Sequence, residues 1–86
     1  MSSLATKLNH DFVATNVWFS EDMLHVALDD GREISVPLEF YPRLNSATKE
    51  QREKYELIGL GTAIHWSEID EDLSVEGIVL GIPARF

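Results

Sequence analysis

The strongest constraint on the fold lies between residues 13 and 38. There side-chain character alternates with a period of two and turn signals interrupt it twice. Val13, Thr15, Val17 and Phe19 alternate with Ala14, Asn16 and Trp18, the pattern of a half-buried strand. Ser20-Glu21-Asp22 is a turn. Leu24, Val26 and Leu28 then share one face of a second strand, with Met23, His25 and Ala27 on the other. Asp29-Asp30-Gly31-Arg32 contains an Asp-Gly pair, a strong hairpin signal because Gly31 takes a positive φ without a Cβ clash. Ile34, Val36 and Leu38 continue beyond that turn as a third strand. Pro37, which has no N–H to donate, ends this strand or places it at a sheet edge. These segments predict an antiparallel meander over about 13–38.

Glu39-Phe40-Tyr41-Pro42-Arg43-Leu44 reads as an aromatic connector with one helical turn. A helix follows with Thr48 as N-cap and Gln51 completing a capping box. Gln51, Tyr55 and Ile58, with Leu44 before them, mark its apolar face, and Gly59 or Gly61 ends it. Its polar face carries the loose basic group Lys49, Arg52 and Lys54 interleaved with acids, a solvated surface. Thr62-Ala63-Ile64-His65-Trp66 predicts a short fourth strand, whose pairing direction the pattern leaves open, and 67–72 a loop. Ser74 is an N-cap for a short helix over 75–80, ended by Gly81, with Val75, Ile78, Val79 and Ile82 pinning it to the sheet. Strands gathered into a meander, with helices free to cover one face, give an α+β two-layer sandwich. It consists of a three-stranded antiparallel meander plus a short fourth strand, packed against one longer and one short C-terminal helix. Residues 1–11, polar and unpatterned, read as a flexible N-terminal segment, and 12–86 as a single α+β domain.

Composition narrows the function classes. Fifteen acidic residues stand against 7 basic ones, a net charge of −8. Nucleic-acid affinity rests on Lys and Arg neutralising phosphates, so direct nucleic-acid binding is disfavoured. The same charge suits a basic protein partner, through steering and complementarity. The chain has no cysteine, which excludes disulfides, thiolate–metal sites and cysteine nucleophiles and favours a cytoplasmic location. The N-terminus lacks the apolar run of a signal peptide, and the longest apolar stretch is far too short for a bilayer, so no membrane role is expected.

The densest polar constellation is His65-Trp66-Ser67-Glu68-Ile69-Asp70-Glu71-Asp72, with Glu76 after it. One imidazole and several carboxylates are ligands that a divalent cation accepts, which makes His65, Asp70, Asp72 and Glu76 metal candidates. Their spacing matches no known cation loop. Asp70 and Asp72 would serve as an acid–base pair only if burial split their pKa values. The reading that the pattern favours is structural: carboxylates ahead of a helix starting near Ser74 meet its positive end and cap free N–H groups. His25 is expected to face solvent. No serine sits on a glycine-flanked elbow, and Gly59-Leu60-Gly61 has no strand-to-helix phosphate cradle behind it. No catalytic residues and no cofactor are implied.

Trp18, Phe40, Tyr41, Trp66 and Phe86 are many large aromatics for so thin a core, and partly exposed aromatics are enriched at interfaces. Trp18, Phe40, Tyr41 and Trp66, with Asp70 and Asp72, are therefore the candidate contact residues, set against the alternative that all the aromatics close the core. The strand ending at Pro37 is also open to pairing with a second copy or with a partner's strand.

The sequence resembles a bacterial family catalogued as domain of unknown function 2442. The residues that carry the resemblance are Ala47 to Arg52, Gly59-Leu60-Gly61, Ile64-His65-Trp66, Asp70 to Gly77 and Gly81, preceded by the hairpin around Asp30-Gly31-Arg32. The likeness covers about residues 12–82. It implies a small cytoplasmic prokaryotic α+β protein with no assigned site residues, and a second small protein encoded beside it, as in toxin–antitoxin-like pairs. Some relatives carry an added helix-turn-helix domain, which this sequence does not contain. Charge, aromatics and the resemblance together favour a non-catalytic protein–protein interaction module, self-association included. The alternative is a metal- or small-ligand-binding protein or weak hydrolase centred on His65, Asp70, Asp72 and Glu76.

Overall fold

In the computed structural model, which describes residues 12–84, the meander is present as β1 (Ala14–Ser20), β2 (Met23–Leu28) and β3 (Glu33–Pro37). The strands pair antiparallel in the order β1-β2-β3, with Leu24 opposite Val36 and Val26 opposite Ile34. Leu24, Val26 and Leu28 are buried on the face the alternation assigns to them. Gly31 turns the second hairpin at φ 95°, and Asp30 holds the turn by accepting from the Arg32 backbone N–H at 3.0 Å and its Nε at 2.9 Å. That backbone N–H, with the Arg32 charge beside it, draws the Asp30 carboxyl below its usual range against a smaller desolvation effect.

β1 departs from strict alternation. The register moves from Ala14–Leu28 to Asn16–Ala27, so Thr15 is the extra residue of a β-bulge. The bulge turns Ala14, not Thr15, into the core, while Val17 keeps its expected burial.

The chain then makes a 3-10 turn (Leu38–Phe40) and two short helices, α1 (Pro42–Ser46) and α2 (Lys49–Glu53). The capping box on α2 is formed on both sides: Gln51 N–H donates to Thr48 Oγ1 and Thr48 N–H to Gln51 Oε1. The helix stops at Glu53, not near Gly59. Five residues cannot hold a helix by themselves, and residues 56–58 are taken by a sheet instead. β4 (Glu56–Ile58), β5 (Ala63–Trp66) and β6 (Glu71–Ser74) form a second antiparallel sheet in the order β4-β5-β6. The expected fourth strand is therefore the centre of a separate three-stranded sheet, antiparallel to both neighbours, and the expected loop 67–72 is a 3-10 turn (Ser67–Ile69), a turn residue and the start of β6. The fold remains α+β. Arg52, read as part of a solvated face, instead donates from Nε to the Leu44 C=O at 2.9 Å and from Nη2 to the Asn45 C=O at 3.0 Å, closing the end of α1.

The last helix, α3 (Val75–Val79), starts at Ser74, whose hydroxyl accepts from the Gly77 N–H, and ends before Gly81 at φ 71°. The two sheets meet around Leu24, Val26, Leu38, Leu44, Ile64 and Trp66, with Val75 and Ile78 of α3 closing the core. Trp66 is fully buried and donates its indole N–H to the Arg52 C=O at 2.9 Å, the acceptor a buried indole requires. Ile82, expected to pin α3, is 55% exposed. The flexible segment expected at 1–11 and the aromatic role expected of Phe86 lie outside the described residues.

Candidate functional site

β6 carries the acidic run, and its alternation sorts that run into two kinds of carboxylate. Glu71 and Leu73 face inward, while Asp72 and Ser74 face out. The Val75 N–H donates to the Thr62 C=O, which fixes the parity of the β5–β6 ladder. Thr62–Val75, Ile64–Leu73 and Trp66–Glu71 are the hydrogen-bonded pairs, and His65–Asp72 is the closer, non-hydrogen-bonded kind. That closeness brings His65 Nδ1 onto Asp72 Oδ1. It is the one contact formed within the set His65, Asp70, Asp72 and Glu76. Asp70 is exposed in a left-handed turn (φ 53°) and its C=O accepts from Arg43 Nη1 at 2.6 Å. Glu76 lies in the first turn of α3. Among the described residues no three His, Cys, Asp or Glu side chains gather as a metal-holding group.

The helix-capping reading of the acidic run is also corrected. Ser74 alone supplies a side-chain cap to α3, while Asp70 belongs to the preceding turn and Asp72 to a strand. Within the run, Glu71 is the unexpected residue. It is 6% exposed, and its Oε2 is buried without a hydrogen-bond partner. Burial pushes its carboxyl above the usual range, partly opposed by the Asp72 N–H and the Arg43 charge. Tyr41 is 1% exposed, its hydroxyl likewise has no partner, and burial raises it to about 12.

Burial also sorts the aromatic candidates. Trp66 and Tyr41 are core residues and offer no contact surface. Trp18 and Phe40 are half-buried. Trp18 lies on the outer face of the first sheet, stacked on His25 with ring centroids 5.3 Å apart. His25 is thereby half-covered, and both ring nitrogens bond serine hydroxyls: Nε2 to Ser20 at 2.6 Å and Nδ1 to Ser35 at 2.7 Å. Ser20, His25 and Ser35 lack the bonded carboxylate that steadies an imidazolium in serine catalysis.

The Gly59-Leu60-Gly61 segment carries a second feature that the residue pattern does not show. Gly59, Leu60 and Gly61 all have positive φ (60°, 58° and 90°), and Leu60 is 95% exposed. Gly61 is held where a Cβ would lie 2.8 Å from the Ala14 C=O oxygen and 2.8 Å from Val13 Cγ1, so this loop is clamped onto the β1 bulge. The clamp leaves Leu60 projecting. The flanking glycines were the only sequence signal for it.

Comparison with known proteins matches this fold. The family described as "Protein of unknown function (DUF2442)" matches over residues 14–84. The chain belongs to that DUF2442 family. Among solved structures, a protein of unknown function from Rhodospirillum rubrum is 26% identical, with a TM-score of 0.77 over 88% of this chain and 94% of that one. The uncharacterised protein CV0863 from Chromobacterium violaceum, solved by NMR, shares the fold at 18% identity, with a TM-score of 0.73 over 96% of this chain and 76% of that one. No curated protein matches the chain. The DUF2442 match covers both sheets and α3, so the acidic strand and the Leu60 loop are parts of the family domain. Among the described residues no helix is long and apolar enough to cross a membrane.

Proposed function

We propose that this DUF2442 protein is a non-catalytic protein-interaction module that engages a basic protein partner in the cytoplasm, as the acidic member of a two-protein pair. The observation that carries the reading is Leu60, a large apolar side chain 95% exposed in a left-handed backbone conformation. A non-glycine residue there costs about 1–2 kcal/mol, and folding returns nothing for it because the side chain buries almost no surface. Burial against a partner would return it. The net charge of −8 supplies attraction over distance for a basic surface, and the apolar tip supplies contact once the two meet. The test is affinity capture from native cell extract at low ionic strength. A basic protein should co-purify with the wild type and be released as salt screens the pairing. A wild-type protein that captures nothing would remove the proposal.

A further inference from the structure

A cleft of about 260 Å³ runs beside β6, and Asp72, Leu73 and Ser74 all line it. Consecutive strand residues point to opposite faces, so a cleft lined by three in a row follows the edge of the strand. β6 is an edge of its sheet, paired only with β5. The ladder parity turns the backbone groups of Asp72 and Ser74 away from β5. The Asp72 C=O and the Ser74 N–H are left for that edge, while the Asp72 N–H is turned to the Glu71 carboxylate and the Ser74 C=O, at the N-cap, takes the first bond of α3. The rest of its lining is Tyr41, Gly77, Ile78, Ile82 and Ala84; Tyr41 and Ile78 are core residues that reach it from beneath, and Ile82 is 55% exposed. Tyr41 brings with it a buried hydroxyl that has no hydrogen-bond partner.

From this geometry we propose that the β6 edge receives an extended, basic segment of the partner protein as an added strand. The proposal rests on the interaction reading and names the segment that it recognises. Asp72 Oδ1 is bonded to His65, yet the Asp72 side chain is 67% exposed. A lysine or arginine on the outer face of the added strand would meet it, with Asp70 one turn away. An apolar residue on the alternate face would enter the cleft against Leu73, Ile78 and Ile82. The segment is thus one of alternating basic and apolar residues, bound by main-chain hydrogen bonds along the strand and selected by side chains at every second position. A second copy of this chain does not fit. The β6 of a second copy (Glu71–Ser74) carries no basic residue to meet Asp72, and Asp72 set opposite Asp72 would repel.

The probe is a fluorescein-labelled peptide of alternating lysine and valine, followed by anisotropy and by amide NMR shifts of the full chain. Three comparison peptides are used: one with lysine replaced by glutamate, one with the same composition but the lysines grouped, and one N-methylated on alternate backbone amides. Binding should move the amides of 70–74, 77–78, Ile82 and Ala84. It should be lost with the glutamate peptide and fall at least tenfold on grouping or N-methylation. Ile82→Asp, a change at an exposed position, should weaken binding about tenfold, and Asp72→Asn about threefold, the size of an exposed ion pair. Equal binding of the N-methylated or grouped peptide, or shifts confined to other residues, would overturn the proposal. If those amides stay unmoved while the whole protein still captures its partner, the edge proposal fails and the interaction reading stands.

Discussion

Gly61 is the tightest point of the molecule, because two demands meet there. Its φ of 90° is foreign to L side chains, and the space where a Cβ would sit is taken by the β1 backbone. Neither demand is relieved by moving a flexible side chain. Gly61→Ala should therefore lower unfolding stability by about 2 kcal/mol or more in urea titrations, from strain and separation of the bulge combined. A loss under about 0.5 kcal/mol, the ordinary surface value, would show that the clamp is not structural. Glu71 makes the opposite kind of prediction. Its carboxyl titrates higher in the folded protein than in the unfolded chain, because burial disfavours the charge. Below the ordinary carboxyl range both states are protonated and the group costs nothing. As pH rises through that range the unfolded chain releases its proton first, so stability falls until the folded value is passed and stays lowered beyond it. Glu71→Gln should then match the wild type in acid and exceed it at neutral pH, in urea midpoints measured across about pH 4–8. A difference independent of pH would refute the assignment.

Among the elements, legibility followed the length over which a pattern had room to repeat. The β1–β3 meander was readable because its alternation runs for some twenty-five residues and Asp30-Gly31 marks a turn by its own chemistry. The Thr48–Gln51 capping box and the Ser74 cap were readable because a cap is local. Thr48→Ala should cost about 1 kcal/mol by urea denaturation, since it leaves the Gln51 N–H without its acceptor. A stability unchanged within about 0.2 kcal/mol would mean that α2 is held by Arg52 and Trp66 alone. β4 and β6 were not readable. Glu56-Leu57-Ile58 continues a helical face as well as it forms a strand, and only the presence of β5 decides for the strand. In β6 the inward Glu71 stands where alternation calls for an apolar residue, so the charge run concealed the period. The Thr15 bulge was hidden for a related reason, since one inserted residue changes phase without changing composition. The candidate site was half legible. His65 and Asp72 do meet, through ladder parity, whereas Asp70 and Glu76 go elsewhere and Trp66 and Tyr41 go inside.

For the whole molecule, the two sheets and α3 make a small frame whose core is closed by few residues, with an acidic balance of charge. Leu60, the most exposed of its large apolar side chains among the described residues, is thrust outward by a clamped loop. A domain of this size has little stability to spare, which gives the strained, exposed Leu60 its weight in the functional reading. The deciding measurement compares folding and capture for Leu60→Gly, side by side with the wild type. Glycine removes the left-handed strain and forfeits almost no buried surface, so the variant should unfold at the same or higher urea concentration, with a gain of about 0.5 kcal/mol or less after the added freedom of the unfolded chain. The account predicts that this fully folded variant no longer captures the basic partner held by the wild type. Undiminished capture would contradict it, and so would a clear loss of stability, because Leu60 would then be serving the fold and not a partner.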